Sequence, residues 1–524
     1  MAGWTRLRQG HFNYLEMKKL CTGRRGGPLY IFNNDQFRGN SENSTSDGLN
    51  DQMFIISSFS NFMDHNFEQF SSARGPNPSN QHELQVGIMS NITEIPKNYE
   101  ISTIVSVSGK INNDINDYRY DTVTAGIKKW ASVLRTQYSQ YQKIQDDISS
   151  KIAYYMDRGS YYYYHNIEDK CTSNDCNYEN TIKELLRTNF KKVPYQSIQY
   201  DSWFYTKSAA SEGINPRLGV ANWTARDDVF PNGAEALYDL HKLPVTAHNR
   251  VWASNNIYRD EYEFVCDDKE DTNYCVPNEG KFWDQLFSEG QKWGLKVYEQ
   301  DWMSEQYLHT SELTSELGAA KTWLSLMAKS AESLNLNIQY CMAMPRMMLQ
   351  SLEFPSVTQI RVSDDYLPGY GHRGQIDNTV QWDIGFVSMI AFEFGLSPFK
   401  DVFWSSKYQC DRNDTCPYPE NDISAFWIND NRRPGDQVVA YEPFPLRQLV
   451  VSVLSTGLVA AGDRIGDSFQ NAELLNKACN SDGLILKPDY PLIPTDFEIS
   501  GFTKGIFNFD RKFNKFNFFQ RSTG

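Results

Sequence analysis

The chain is poor in the residues that hold metals. It has eight His in 524 residues, no HExxH, and no Cys pair at C-x₂-C spacing with a matching second half. Zinc centres need such clusters, so no metal is expected. Positive charge is also in deficit: 51 Lys and Arg stand against 65 Asp and Glu, a formal net charge of −14. Nucleic-acid-binding surfaces are built from clustered Lys and Arg, so this balance excludes a polyanionic partner and favours a neutral ligand. No apolar run reaches 18 residues. The nearest, Leu449 to Ala461, is too short and carries Ser and Thr, so no membrane span is expected. A dinucleotide fold is missing as well. Gly369 to Gly374, GYGHRG, fits G-x-G-x-x-G, but it follows SDDYLP rather than a strand and opens no helix. It reads as a flexible loop, and no organic cofactor is expected.

Aromatic residues are abundant, with 30 Tyr, 31 Phe and 12 Trp. Most must be core; aromatic faces also suit the apolar sides of sugar rings. Nine cysteines include three close pairs, Cys171 with Cys176, Cys266 with Cys275, and Cys410 with Cys416, each in a polar Asn/Asp-rich segment. They read as loops closed by local disulfides, which belong to oxidising compartments. Cys21, Cys341 and Cys479 are left over, and Cys341 lies in an apolar run as a buried thiol would. Sequons at Asn43, Asn91, Asn222 and Asn413 point to the same setting. The expectation is a secreted or lumenal glycoprotein. The first residues, MAGWTRLRQG, lack the apolar centre of a signal peptide, so the true start is expected to be missing.

Residues 1–145 alternate short β-rich runs with Asn/Ser/Gly-rich connections, the pattern of a β-sandwich. A helix from about Asp121 to Ile152 is expected to lead out of it, with Ile127, Trp130, Leu134 and Tyr138 on one face. Residues 146–500 change rhythm to short apolar strands separated by helices, which implies βα units around a parallel sheet. Eight strand candidates can be counted: Ile152 to Met156, Gln196 to Tyr200, Pro244 to His248, Leu295 to Gln300, Ile338 to Met342, Thr358 to Val362, Lys400 to Trp404, and Leu458 to Ala461. Helical patterns span Ser311 to Leu334 and Phe444 to Ser455. Eight such repeats close a (β/α)8 TIM barrel. Residues 501–524 form a Phe/Asn/Lys-rich tail.

Barrel enzymes do their chemistry at the C-terminal ends of the strands. Those ends supply Asp157, Asp201 with Trp203, His248 with Arg250 and Trp252, Glu299 with Asp301 and Trp302, Arg346, Arg361 with Asp364 and Asp365, Trp404, and Asp463. Recurrent Asp with Trp suggests a sugar pocket. Here a family resemblance becomes specific. QYDSW resembles the DDGW of the α-galactosidase and raffinose-synthase group, glycoside hydrolase family 36 and its clan. VFPNGAEAL resembles that group's FPNGL helix start, and RVSDDY its RASDDF. GDRIG followed by DGLILKPDYPLIPTDF resembles the segment that closes the raffinose-synthase barrel, and YYMDRGSYYYY stands in the place of WDAFY. The match runs in consistent order from about Ile152 to Phe497.

The resemblance implies a retaining mechanism with an aspartate nucleophile after the fourth strand and an aspartate acid/base after the sixth. Glycoside hydrolysis needs the same division, one carboxylate ionised to attack and one carboxyl holding a proton, about 5 Å apart. Asp365 stands four residues after Arg361, the clan's arginine spacing, and is the acid/base candidate with Asp364 in reserve. The family's fourth strand ends in K-x-D, whereas here Lys296 is followed by Val297 and Tyr298, and the carboxylates come later. Asp301 is the nucleophile candidate and Glu299 its alternate. Asp201, Trp203 and Arg361, then Asp157, Trp252, Arg346 and Asp463, are expected around the sugar. The expected activity is hydrolysis of α-linked terminal galactose or a related sugar, or transfer of that sugar as in raffinose synthases. An inactive carbohydrate-binding or structural protein on the same barrel is the competing class.

Overall fold

The protein, seen in a computed structural model, is described over residues 4–7, 29–33, 53–71, 82–108, 122–156, 177–208, 219–267, 274–363, 365–366, 378–407, 409, 442 and 444–493. Eight parallel strands form one sheet: β1 (Ile152–Tyr154), β2 (Ile198–Tyr200), β3 (Val245–Asn249), β4 (Leu295–Gln300), β5 (Asn337–Tyr340), β6 (Val357–Arg361), β7 (Ser397–Phe399) and β8 (Val459–Ala461). Their order is β7-β6-β5-β4-β3-β2-β1-β8. A single parallel bridge, Phe403 to Ala461, joins the two ends and closes the wall. Helices lie between successive strands, among them Tyr178–Arg187, Ala234–His241, Gly280–Lys292, Ala319–Ser333, Asn378–Glu393 and Pro445–Leu454. This is the expected (β/α)8 barrel.

The strands are short and almost wholly buried, because helices cover their outer side and the barrel fills their inner one. Side chains alternate between the faces. The outward set is aromatic: Tyr200 packs on Phe230 and Trp293, and Tyr298 on Trp223, Trp283 and Phe287. The inward set is polar. Tyr155, just past β1, reaches across the interior to Thr246 Oγ1 and Gln339 Oε1, each at 3.4 Å.

Three sequence expectations shift. The seventh strand lies at Ser397–Phe399, ahead of the expected Lys400 to Trp404. Asp401 has φ +45°, which breaks the extended run before Phe403 makes its lone bridge. The lead-in helix spans only Thr122–Gln137. Beyond it the chain is taken up by the bottom of the barrel: Lys143 Nζ donates to the carbonyls of Ser351 (2.7 Å) and Phe354 (3.1 Å), and Asp146 accepts from Thr358 and Gln359, both at 2.9 Å. The expected helix from Ser311 breaks at Gly318 (φ +78°), so that Ala319–Ser333 is a separate helix.

Ahead of the barrel the chain is antiparallel β. Strands Trp4–Leu7, Leu29–Asn33, Met53–Ser58 and Thr103–Ser108 form one sheet in that order, and His65–Ser71 pairs with His82–Ile88 in another. Helix Thr122–Gln137 lies against the first sheet, with Trp130 Nε1 donating to Ser57 Oγ at 2.7 Å. Among the described residues no helix is long and apolar enough to cross a membrane.

The closing joint leaves no room at Gly457. A Cβ there would lie 1.5 Å from the Pro398 carbonyl oxygen of β7. Gly457→Ala is therefore expected to force β7 and β8 apart and to cost about 3 kcal/mol, at the upper end for overpacking. Thermal unfolding of the two proteins checks this; an unchanged midpoint would contradict the joint.

Candidate functional site

Alternation on the strands brings their acidic residues to one place. On β4, Glu299 and the following Asp301 share the inward face, as do His248 on β3 and Gln199 with Asp201 at the end of β2. Gln199 Nε2 donates to Glu299 Oε2 at 2.7 Å and lies 3.4 Å from Asp201 Oδ2, so it spans the interior past β3. His248 Nε2 lies 3.1 Å from Asp301 Oδ2, and its Nδ1 3.0 Å from the Tyr205 hydroxyl. Arg361, the last residue of β6, pairs through Nη1 with Asp365 Oδ1 at 2.9 Å. Asp401, past the end of β7, accepts from the backbone N–H groups of Tyr366 (2.5 Å) and Val402 (2.7 Å).

The carboxylates differ in charge state for identifiable reasons. Burial alone would raise the Asp301 pKa, but the His248 hydrogen bond and the Arg361 charge outweigh it and hold this carboxyl well below the usual carboxylate range. The Cys341 thiol adjoins the same carboxyl and also lowers its pKa, while Oδ1 is buried and is not paired with an N–H or O–H group among the described residues. Glu299 goes the other way. Burial, with the charges of Asp201 and Asp301 added and His248 and Gln199 opposing, lifts it to about 7. Asp401 is also raised by burial, against the Arg361 charge. For His248, burial opposes the cation, yet the facing carboxylates of Asp201, Asp301 and Glu299 raise its pKa above the ordinary value. Asp365 is the open member, with 40% of its side chain exposed against 11% for Asp301.

The backbone at this rim is unusual. Trp302, Met342 and Asp401, each two residues beyond the last residue of β4, β5 or β7, have φ values of +56°, +50° and +45°. Non-glycine residues seldom adopt this region, and such strain collects where function fixes the chain.

The cluster thus contains Asp201, Glu299, Asp301 and Arg361, with Asp365 at its edge. Other candidates lie elsewhere. Trp203 is buried, stacked on Tyr178 at 3.9 Å between ring centres, and donates its indole N–H to the Met156 carbonyl. Trp252 is fully buried among Tyr258, Phe264, Phe282 and Trp283. Arg346 is fully buried and donates to the Met63 carbonyl at 2.5 Å, tying the barrel to the N-terminal region. Asp463 is fully buried and accepts from Ser405 N–H, Ser405 Oγ and Gln409, which clasps the end of β8 to the segment after β7. Asp157 and Asp364 lie outside the described residues, as do the GYGHRG loop, the pairs Cys171 with Cys176 and Cys410 with Cys416, and the sequons at Asn43 and Asn413. Cys266 and Cys275 form a disulfide between adjacent strands. Cys341 and Cys479 are buried thiols. Asn91 is exposed, and Asn222 accepts from the Tyr258 hydroxyl.

Gln199, Tyr205 and Asp401 were not singled out from sequence. Gln199 was within reach, since it stands two residues before Asp201 and so shares its face. Asp401 was hidden because the seventh strand was expected to run through it.

No family model matches the chain, and no curated protein matches it in sequence. Among solved structures it is similar to an α-galactosidase of glycoside hydrolase family 36 from Geobacillus stearothermophilus, at 10% identity over 98% of this chain and 62% of that one, with a TM-score of 0.47. A family 27 β-L-arabinopyranosidase from the same organism matches 65% of this chain and 78% of its own at 12% identity, TM-score 0.42. An α-N-acetylgalactosaminidase from Bifidobacterium bifidum matches 72% of this chain and 60% of its own at 8% identity, TM-score 0.39. The chain therefore spans less than two thirds of the family 36 enzyme.

Glu299 gives a pH test. Its folded pKa of about 7 stands above the ordinary 4.5, so the folded protein binds the extra proton and loses stability as pH rises from 4.5 through 7. Glu299→Gln removes that loss. The variant's unfolding midpoint, relative to the unsubstituted protein, should climb between pH 5 and 8, by an equivalent of up to about 3 kcal/mol. A difference independent of pH would contradict the raised pKa.

Proposed function

We propose that the protein is a retaining glycoside hydrolase acting on α-linked terminal galactose or a related sugar. The observation that carries this reading is the unequal setting of two aspartates that share the charge of Arg361. Asp301 is buried, ionised and has one oxygen not paired with an N–H or O–H group among the described residues, while Asp365 is ion-paired yet open to solvent. The sequence resemblance of RVSDDY and QYDSW to family 36 and its clan supports the choice of sugar.

In the first half-reaction Asp301 Oδ1 attacks the anomeric carbon. The bond to the leaving oxygen breaks, and that oxygen takes a proton from Asp365, which this step requires in its acid form, taken up from solvent in place of the ion pair with Arg361. In the second, Asp365, now ionised beside Arg361, accepts a proton from water as the water oxygen attacks the anomeric carbon and releases Asp301. The net change is hydrolysis with retained configuration. A sugar hydroxyl in place of water gives transfer by the same steps. Neither half requires a metal or an organic cofactor. Asp201 and Arg361 would contact the sugar, and Asp364 stays the alternate acid/base. Residues 1–145 are assigned to the N-terminal β region and 146–500 to the catalytic barrel, while the tail assigned to 501–524 lies outside the described residues. The Cys266–Cys275 disulfide favours a secreted or lumenal site.

Aryl α-galactosides test the proposal. Asp301→Asn is expected to lose at least about 10³-fold in kcat. Asp365→Asn is expected to lose more on substrates with poor leaving groups than on nitrophenyl ones, because only the former need the proton. Equal activity of Asp301→Asn and the unsubstituted protein would sink the nucleophile. Sugar binding without turnover would make the protein a carbohydrate-binding barrel.

A further inference from the structure

His248 takes no part in the two carboxylate roles above, yet it is the side chain that engages Asp301 most directly. It is buried on β3, the strand paired with β4, and faces Glu299 across the register. Both ring nitrogens are engaged, Nδ1 with the Tyr205 hydroxyl at 3.0 Å and Nε2 with Asp301 Oδ2 at 3.1 Å. The Tyr205 and His248 ring planes are nearly parallel, with an interplanar angle of 13°.

This chain has one consistent proton arrangement. Ionised Asp301 only accepts, so Nε2 must carry a hydrogen in either charge state of the ring. Tyr205 then donates to a neutral Nδ1, or accepts from Nδ1–H of the cation. The hydroxyl therefore keeps the imidazole in the one tautomer that serves Asp301. With Oδ2 held by His248, the nucleophile role assigns the buried Oδ1 to the substrate.

We propose that His248, oriented by Tyr205, is a positioning residue for Asp301, which fixes the carboxylate rotamer and stabilises the negative charge that returns to Oδ2 when the glycosyl–Asp301 ester breaks. The inference rests on Asp301 as nucleophile. In the ester, Oδ2 is a carbonyl oxygen and carries little charge. As water displaces Asp301 the electron pair returns to the carboxylate, and an N–H already in place meets it without reorganisation. The contribution falls on breakdown of the intermediate, so its loss should lower kcat and KM together and leave kcat/KM, which reports formation of the intermediate, nearly unchanged. The groups facing the ring are Asp201 from β2, Tyr205 from the strand after it, and Glu299 and Asp301 from β4. Three carboxyls around one imidazole favour its cation. Activity should decline on the alkaline side as that proton is lost.

Two measurements test this. In the first, kcat and KM for an aryl α-galactoside are followed against pH for the unsubstituted protein, His248→Asn, Tyr205→Phe and Glu299→Gln. Expected are a kcat loss of about 10²-fold in His248→Asn, typical of one lost donor, a smaller loss in Tyr205→Phe, and a KM that falls in step with kcat. The alkaline limb should vanish in His248→Asn and persist in Glu299→Gln. Tyr205→Phe removes only a hydroxyl and guards against a misfolded His248 variant. The second measurement needs no turnover: the His248 imidazole is titrated by NMR in labelled protein. Its midpoint should lie above the ordinary 6.5 and fall in Asp301→Asn. A midpoint indifferent to Asp301→Asn overturns the pairing. So does a His248→Asn protein with unaltered kcat and pH profile while Asp301→Asn is dead, an outcome that leaves the nucleophile standing. Full activity of Asp301→Asn would instead remove the nucleophile and with it the role of His248.

Discussion

A guanidinium buried at the end of β6 is the charge around which the rim is assembled. Arg361 would be costly to bury alone, and it is tolerated because Asp365, Asp401 and Asp301 surround it. The dependence is mutual. Without that cation, burial would push the Asp301 carboxyl toward its neutral form, and Asp401 would be still harder to ionise. One arginine thus couples carboxylates reached from three strands.

The polar interior of the barrel follows from the same arrangement. Inward positions on β2 to β6 hold Gln199, Thr246, His248, Glu299, Gln339, Gln359 and Arg361, while the aromatic side chains of Tyr200 and Tyr298 point outward among the helices. Adhesion comes from the outer shell, and the centre is free to hold hydrogen-bonded groups that neutral hydrophobes would displace. Glutamine suits this interior, because its amide can donate to one carboxyl and still accept from a neighbour. Gln199 is the clearest case, passing from Met156 N–H to Glu299.

Much of this was legible in the chain. The strand count, the barrel and the Arg361 to Asp365 spacing follow from apolar runs and a four-residue interval. What escaped has physical causes. Trp252 and Arg346 follow strands or stand near their ends, as pocket residues would, but sequence cannot say on which side of the wall a loop residue packs. Both turned into packing elements. The seventh strand carries Pro398 and is broken by a left-handed aspartate, so its neighbouring run Lys400 to Trp404 looked more like a strand than it is. His248 is visible in the sequence as a strand-end residue, but its contact with Asp301, 53 residues away, is not.

The wall is not stitched evenly. Five positions pair between β3 and β4 and four between β4 and β5, whereas β1 and β2 share one registered pair and β8 meets the segment after β7 through the lone Phe403 to Ala461 bridge. Local opening costs least where few backbone bonds cross. Asp401 stands beside one thin join, while the Asp301 and His248 pair is anchored in the arc of the wall that has most to lose by opening.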